Sequence, residues 1–303
     1  MCGTCDDHVH EDATSCPATG HPPWRAVGPE ARVVIVGKGG VGKTTITAVL
    51  ARLLARQGCS VVAVDGDEQC NLGPTLGIAP GVLAHAVPIS QAGDYIEEKT
   101  GARPGTGGGG MIRLNPDLVD VVDRFAVTGP DGVRFLMMGA VRRAGGGCFC
   151  PETALLASAL GDMGAHAGSV VLLDTHAGVE HFGRALARGF DQAVVVVDPT
   201  VNAVQVGLDT ARLAGTLGIG VVHLVVNRVR SDDHLARALG HIDALGGYDF
   251  ASVHVLPYDE AALESEPAVD ELLGSGPLAD AVAAIGVDLV RVPTMTSVGW
   301  GRP

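Results

Sequence analysis

The chain has 303 residues, with 21 basic and 34 acidic side chains and a formal charge of −13, which argues against the basic face that a DNA-binding surface normally needs. Hydrophobic residues make up 47 % but aromatic ones only 4 %, so the chain can build one large or two small α/β domains around an aliphatic core. Its apolar runs fall far short of a membrane span, and its acidic start carries no secretory signal. A cytoplasmic protein is expected, bound to neither nucleic acid nor membrane, whose seven cysteines serve as metal or redox thiols rather than disulfides.

Residues 1–30 read as a flexible tail. Cys2 and Cys5 stand at CxxC spacing with His8 and His10 close behind, a set that would gather Ni²⁺ or Zn²⁺. The same residues read equally well as incidental thiols of an acidic tail. Residues 31–286 form the main domain. Strands are expected at Val33–Val36, Ser60–Val64, Val170–Leu173, Ala193–Val197, Val221–Val226 and Val253–Leu256. Unbroken Val/Leu runs, rather than in–out alternation, mean strands buried on both faces. Helices are expected between them at Thr44–Gln57, Glu180–Arg188, Val201–Leu217, Asp232–Leu245 and Leu278–Ile285. The alternation predicts a doubly wound, mostly parallel α/β sheet with helices on both faces. The stretch of about 68–150 breaks the pattern and reads as an insertion, with a two-stranded piece at Leu118–Asp123 and Val133–Met138. Residues 287–303 read as a tail.

The first strand runs into GKGGVGKTT, from Gly37 through Lys38, Gly39, Gly40, Val41, Gly42, Lys43 and Thr44 to Thr45. This meets the phosphate-loop pattern GxxxxGK[ST] in its strand–loop–helix setting. Glycines let backbone N–H groups curl around phosphate oxygens, and the helix start adds a favourable dipole. Lys43 is placed to neutralise β/γ charge and the Thr44 hydroxyl to ligate Mg²⁺. At the end of the second strand, VVAVDGDEQ puts Asp65 and Asp67 at the γ-phosphate crevice; Asp65 reads equally as a cap of the next turn. VVLLDTHAG puts Asp174 where an acidic strand end holds Mg²⁺, with His176 and Gly178 in the loop beyond it. Asn227 ends a third strand, where its amide faces the base, and Leu256–Pro257–Tyr258 would close the base pocket. A guanine site would need a carboxylate at the position of Arg230, so ATP is favoured over GTP.

Lys38 sets this loop apart. It resembles that of the deviant Walker A ATPases, such as the nitrogenase iron protein, MinD, ParA and the arsenite-pump ATPases. The resemblance implies a homodimer in which Lys38 reaches phosphates bound by the partner subunit, much as an arginine finger does. It also implies that Asp67 orients the attacking water, with Asp65 behind it.

The second motif is GGGCFCPETALL, Gly145 to Leu156. In extended backbone Cys148 and Cys150 point the same way, and Pro151 suits a helix start. Thiols just before a helix are readily thiolate. One CxC supplies two of the four ligands of a closed metal site, and a twofold dimer supplies the other two.

GKGGVGKTT, VDGDEQCNLG, IEEKTGAR, LNPDLVD, FLMMG, CFCPE, DTHAGVEH and VVNRVR follow in order, as in the CooC-type accessory ATPases that insert nickel into carbon monoxide dehydrogenase. This resemblance spans roughly Val33 to Tyr258 and implies a dimer with an intersubunit Cys₄ site for Ni²⁺ or Zn²⁺ and a client nickel enzyme. His176 and the Cys/His tail depart from that family. Two other readings compete. An iron–sulfur carrier resembling the nitrogenase iron protein would also use four thiolates from two chains. A positioning ATPase on membrane or DNA would need a basic amphipathic helix or a basic face, which the sequence does not display.

Overall fold

The computed structural model describes residues 31–67, 69–103, 113, 116–139, 158, 169–176 and 190–291. Strand β1 (Ala31–Gly37) is almost wholly buried, as are β2 (Ser60–Gly66), β5 (Ser169–Thr175) and β6 (Gln192–Val197). Such strands need cover on both faces. With β3 (Val127–Thr128), β4 (Arg134–Met137), β7 (Val221–Val229) and β8 (Ser252–Pro257) they form one sheet of order β3-β4-β2-β5-β1-β6-β7-β8. Every pairing is parallel except that of β3 with β4, so the expected doubly wound sheet is present.

Helix α1 (Lys43–Arg56) connects β1 to β2 and packs on β1, β2 and β5. Among the described residues four short helices follow: α2 (Leu72–Thr75), α3 (Pro80–Leu83), α4 (Gly93–Thr100) and α5 (Val121–Phe125). Helices α6 (Val201–Thr216) and α7 (Asp232–Ala244) carry the chain from β6 to β7 and from β7 to β8. Side chains at their entrances cap them, Thr200 accepting from Ala203 N and Ser231 from His234 N. After the short α8 (Ala261–Glu264), α9 (Pro277–Arg291) packs against α1 and β8. Because parallel crossovers are right-handed, α1 and α6, leaving in opposite directions along the sheet, cover opposite faces. No helix among the described residues is long and apolar enough to cross a membrane.

Three local expectations change. Residues Leu118–Asp123 do not form a strand: Leu118, Val121 and Val122 are buried and Phe125 packs on the core, the i, i+3, i+4, i+7 spacing of a helix face. The antiparallel partner of β4 is β3 instead. Nor is Val133–Met138 confined to an insertion, because β4 lies parallel to β2, with Val62 opposite Arg134 and Asp65 opposite Met137. Finally, α9 runs to Arg291, past the expected helix end at Ile285 and into the segment read as a tail. The expected helix Glu180–Arg188 lies outside the described residues.

Candidate nucleotide-binding site

The phosphate loop joins β1 to α1, and Gly37, Gly40 and Gly42 hold positive-φ conformations that side chains resist. Gly37 (φ +143°) lies against β6, where a Cβ would stand 2.2 Å from the Val196 carbonyl oxygen. Gly42 (φ +98°) starts α1, where a Cβ would stand 2.5 Å from Asn227 Nδ2. That amide donates to the Val41 carbonyl at 2.8 Å, and its oxygen accepts from Arg228 N at 2.9 Å. Asn227 therefore clasps the loop from the end of β7, besides lining the cavity next to it.

The two loop lysines lie in different environments. Lys43 is 7 % exposed and donates to the Lys38 carbonyl at 3.2 Å. Burial holds its ammonium below the usual lysine range, opposed by Asp174 and Asp67. The Lys38 side chain is exposed.

Three carboxylates converge at the ends of β2 and β5, where Asp65 and Asp174 are opposite one another in register. Asp65 is fully buried and accepts from Asp67 N at 3.0 Å and Leu72 N at 2.9 Å. It thus caps the turn leading to α2, and burial raises it to about 6. Asp67 accepts from Gln69 N at 2.9 Å and lies 4.0 Å from His176 Nε2. Asp174 accepts from the Thr44 hydroxyl at 2.6 Å, while its Oδ1 is buried without a hydrogen-bond partner among the described residues. Burial, with Asp65 and Asp67 nearby, raises Asp174 to about 7. An orphaned carboxylate oxygen beside a hydroxyl is the hard-oxygen donor set that Mg²⁺ prefers, so Thr44 and Asp174 could hold that ion.

Two cavities open along the carboxyl ends of the strands, as doubly wound sheets dictate. The first, of about 580 Å³, is lined by Lys43, Thr44, Asp67 and His176. The second, of about 360 Å³, lies between Ile46 and Val49 of α1, Asn227, Pro257 and Tyr258. Its outer wall is the Arg230 guanidinium, stacked 3.8 Å from the Tyr258 ring centroid. Arg228 lines both cavities and adopts a left-handed backbone (φ +60°) at a register shift between β7 and β8. Sequence reasoning passed over it, because the register shift that places it depends on β8. Cys148, Cys150, Cys2, Cys5, His8, His10 and Gly178 lie outside the described residues. Among the described residues no group of three or more His, Cys, Asp or Glu side chains is poised around a metal.

A parallel sheet carrying a phosphate loop with two lysines, an acidic strand end on the loop threonine and a base-sized cavity next to it defines a P-loop ATPase of deviant Walker A type. The chain belongs to the CobQ/CobB/MinD/ParA nucleotide-binding domain family, whose model matches residues 33–268. It is 36 % identical over 241 residues to an uncharacterized ATP-binding protein of Methanocaldococcus jannaschii, covering 78 % of this chain and 88 % of that one. It is 34 % identical over 237 residues to the carbon monoxide dehydrogenase accessory protein CooC of Rhodospirillum rubrum, covering 78 % and 87 %. Among solved structures, MinD of Pyrococcus horikoshii complexed with Mg-ADP superposes with a TM-score of 0.59 at 20 % identity, covering 86 % of this chain and 96 % of that one. That likeness concerns the fold.

Proposed function

We propose that this ATPase is a dimeric metallochaperone that delivers nickel to a client metalloenzyme of the carbon monoxide dehydrogenase type. Similarity to CooC over most of both chains carries the reading, together with Cys148 and Cys150, which supply half of a four-thiolate site. In each subunit Thr44 and Asp174 would hold Mg²⁺, which when bound would supply positive charge to offset that of the phosphates. Lys43 lies along the β- and γ-phosphates, Asp67 orients the attacking water, and the base enters the cavity between Asn227 and Pro257. The exposed Lys38 reaches across to the partner's phosphates. ATP binding thereby draws two chains together, closing a Cys₄ site for Ni²⁺ or Zn²⁺, and hydrolysis releases it.

The test is anaerobic metal analysis of the chain with ADP and with a non-hydrolysable ATP analogue, repeated on Cys148→Ser and on a form lacking residues 1–30. About one metal per dimer is expected, lost in Cys148→Ser and retained without the amino-terminal segment. A chain that stays monomeric and metal-free with the ATP analogue ends the proposal.

A further inference from the structure

At the opposite ends of the strands a polar chain, buried at Gln192 and His223 and half-exposed at Asp288, ties β6, β7, β8 and α9 together. Gln192 Nε2 donates to the Leu289 carbonyl at 2.8 Å, which turns its Oε1 toward His223 Nε2 at 3.0 Å. An acceptor there requires a proton on His223 Nε2, and in the neutral ring Nδ1 is then an acceptor. Ser252 Oγ lies 2.7 Å from that Nδ1 and donates to it. The same Oγ accepts from His254 Nε2 at 2.9 Å, and Asp288 Oδ2 stands 3.2 Å from that nitrogen. The protons on His223 Nε2 and Ser252 Oγ each have one assigned acceptor, while the His254 Nε2 proton is shared between Ser252 Oγ and Asp288 Oδ2.

A second proton on His223 upsets this order. Placed on Nδ1, it would point at Ser252 Oγ, whose own hydrogen would lose its acceptor. The charge would also sit on a side chain that is 1 % exposed, a costly placement.

The helix held here also walls the nucleotide site. Leu278 and Val282 of α9 line the base cavity, whereas Asp288 and the Leu289 carbonyl belong to its last turn, about 16 Å further along the axis from Leu278. We propose that the Gln192–His223–Ser252–His254–Asp288 chain is an acid-sensitive latch that positions α9, so that protonating His223 loosens the wall of the base cavity and weakens nucleotide binding. The proposal rests on that cavity being the purine site.

Burial lowers His223 from its ordinary 6.5 to about 4, with His254 adding to the depression and Asp288 opposing it. Burial likewise holds His254 below its usual value against the pull of Asp288. These two groups face His223 from β8 and α9, and β6 presents the neutral Gln192 amide. A ring hard to protonate in the closed latch accepts a proton readily once the latch opens. Closure is therefore fully favoured above about pH 6.5 and loses ground as pH falls toward 4, by up to about tenfold per unit.

The experiment uses the full chain, wild type and His223→Gln, in which the amide keeps one donor and one acceptor but does not titrate. ADP affinity and hydrogen-exchange protection of the last turn of α9 are measured from pH 7.5 to 5.5. Protonation of ADP itself is common to both proteins and cancels in the comparison. The wild type is expected to lose up to about tenfold more protection of that turn than the variant over this range, and to lose ADP affinity by the fraction of chains so opened. Identical pH profiles for the two proteins overturn the latch. Where the variant does not fold, wild-type protection that stays constant with pH overturns it as well. Protection that falls while ADP affinity stays flat also overturns the coupling and faults the purine assignment rather than the latch.

Discussion

Asp174 illustrates how a functional carboxylate burdens the fold that holds it. Its pKa is raised to about 7, chiefly by burial, so between about pH 4 and 7 the folded chain binds a proton that the unfolded chain has released. Without metal, the cost of the buried charge therefore grows as pH rises through this window and is complete above it. Asp174→Asn is expected to melt several degrees higher than the wild type at pH 8 without Mg²⁺, with the gain shrinking toward pH 4, while losing Mg²⁺-dependent ATP hydrolysis. Thermal melts at the two pH values, with an ATPase assay, check this. No gain at pH 8 would mean that the carboxylate is already compensated in the metal-free chain.

Between elements, the important contact is that of β7 with the phosphate loop. Asn227, read in the sequence as facing the base, also donates to Val41 and accepts from Arg228, and the absence of a side chain at Gly42 leaves room for it. Asn227→Ala strips both groups of their partner. It is expected to lower stability by about 1–3 kcal/mol and to weaken ADP and GDP alike. Denaturant unfolding and paired affinities decide between the roles, since a residue that only reads the base would change the ADP-to-GDP ratio and leave stability intact. The motif EEKTG has a comparable local explanation. It closes α4, with Gly101 in the left-handed conformation (φ +82°) and Lys99 paired with Asp120 at 2.8 Å.

For the whole molecule, the contrast between Lys43, buried against its own loop, and the exposed Lys38 argues for separate duties. If Lys38 serves the partner's nucleotide, Lys38→Ala should lower kcat by about a thousandfold, as loss of a charge supplied in trans does, with ADP affinity of the single chain unchanged. Steady-state kinetics and ADP titration test this, and sedimentation with an ATP analogue should show the variant failing to dimerise. An equal loss of ADP affinity would place Lys38 in its own subunit's site.

The sequence alone determined the sheet, the loop with its threonine and lysine, and the strand-end aspartate that meets that threonine, because these are local signals: unbroken apolar runs mark strands buried on both faces, and glycine spacing marks a loop that must curl. It also determined the family, through motifs that keep their order along the chain. Tertiary structure decided what depends on distant segments meeting. Val133–Met138 reads as part of an insertion until β2 is seen beside it, and the clasp of Asn227 on the phosphate loop is visible only once that loop is packed against it. His223 and Asp288 carry no signal in a single sequence, for 65 residues separate them and only the packing of α9 on β8 brings their network together. Hydrophobic periodicity is a property of neighbouring residues, whereas burial, register and charge coupling belong to the folded whole.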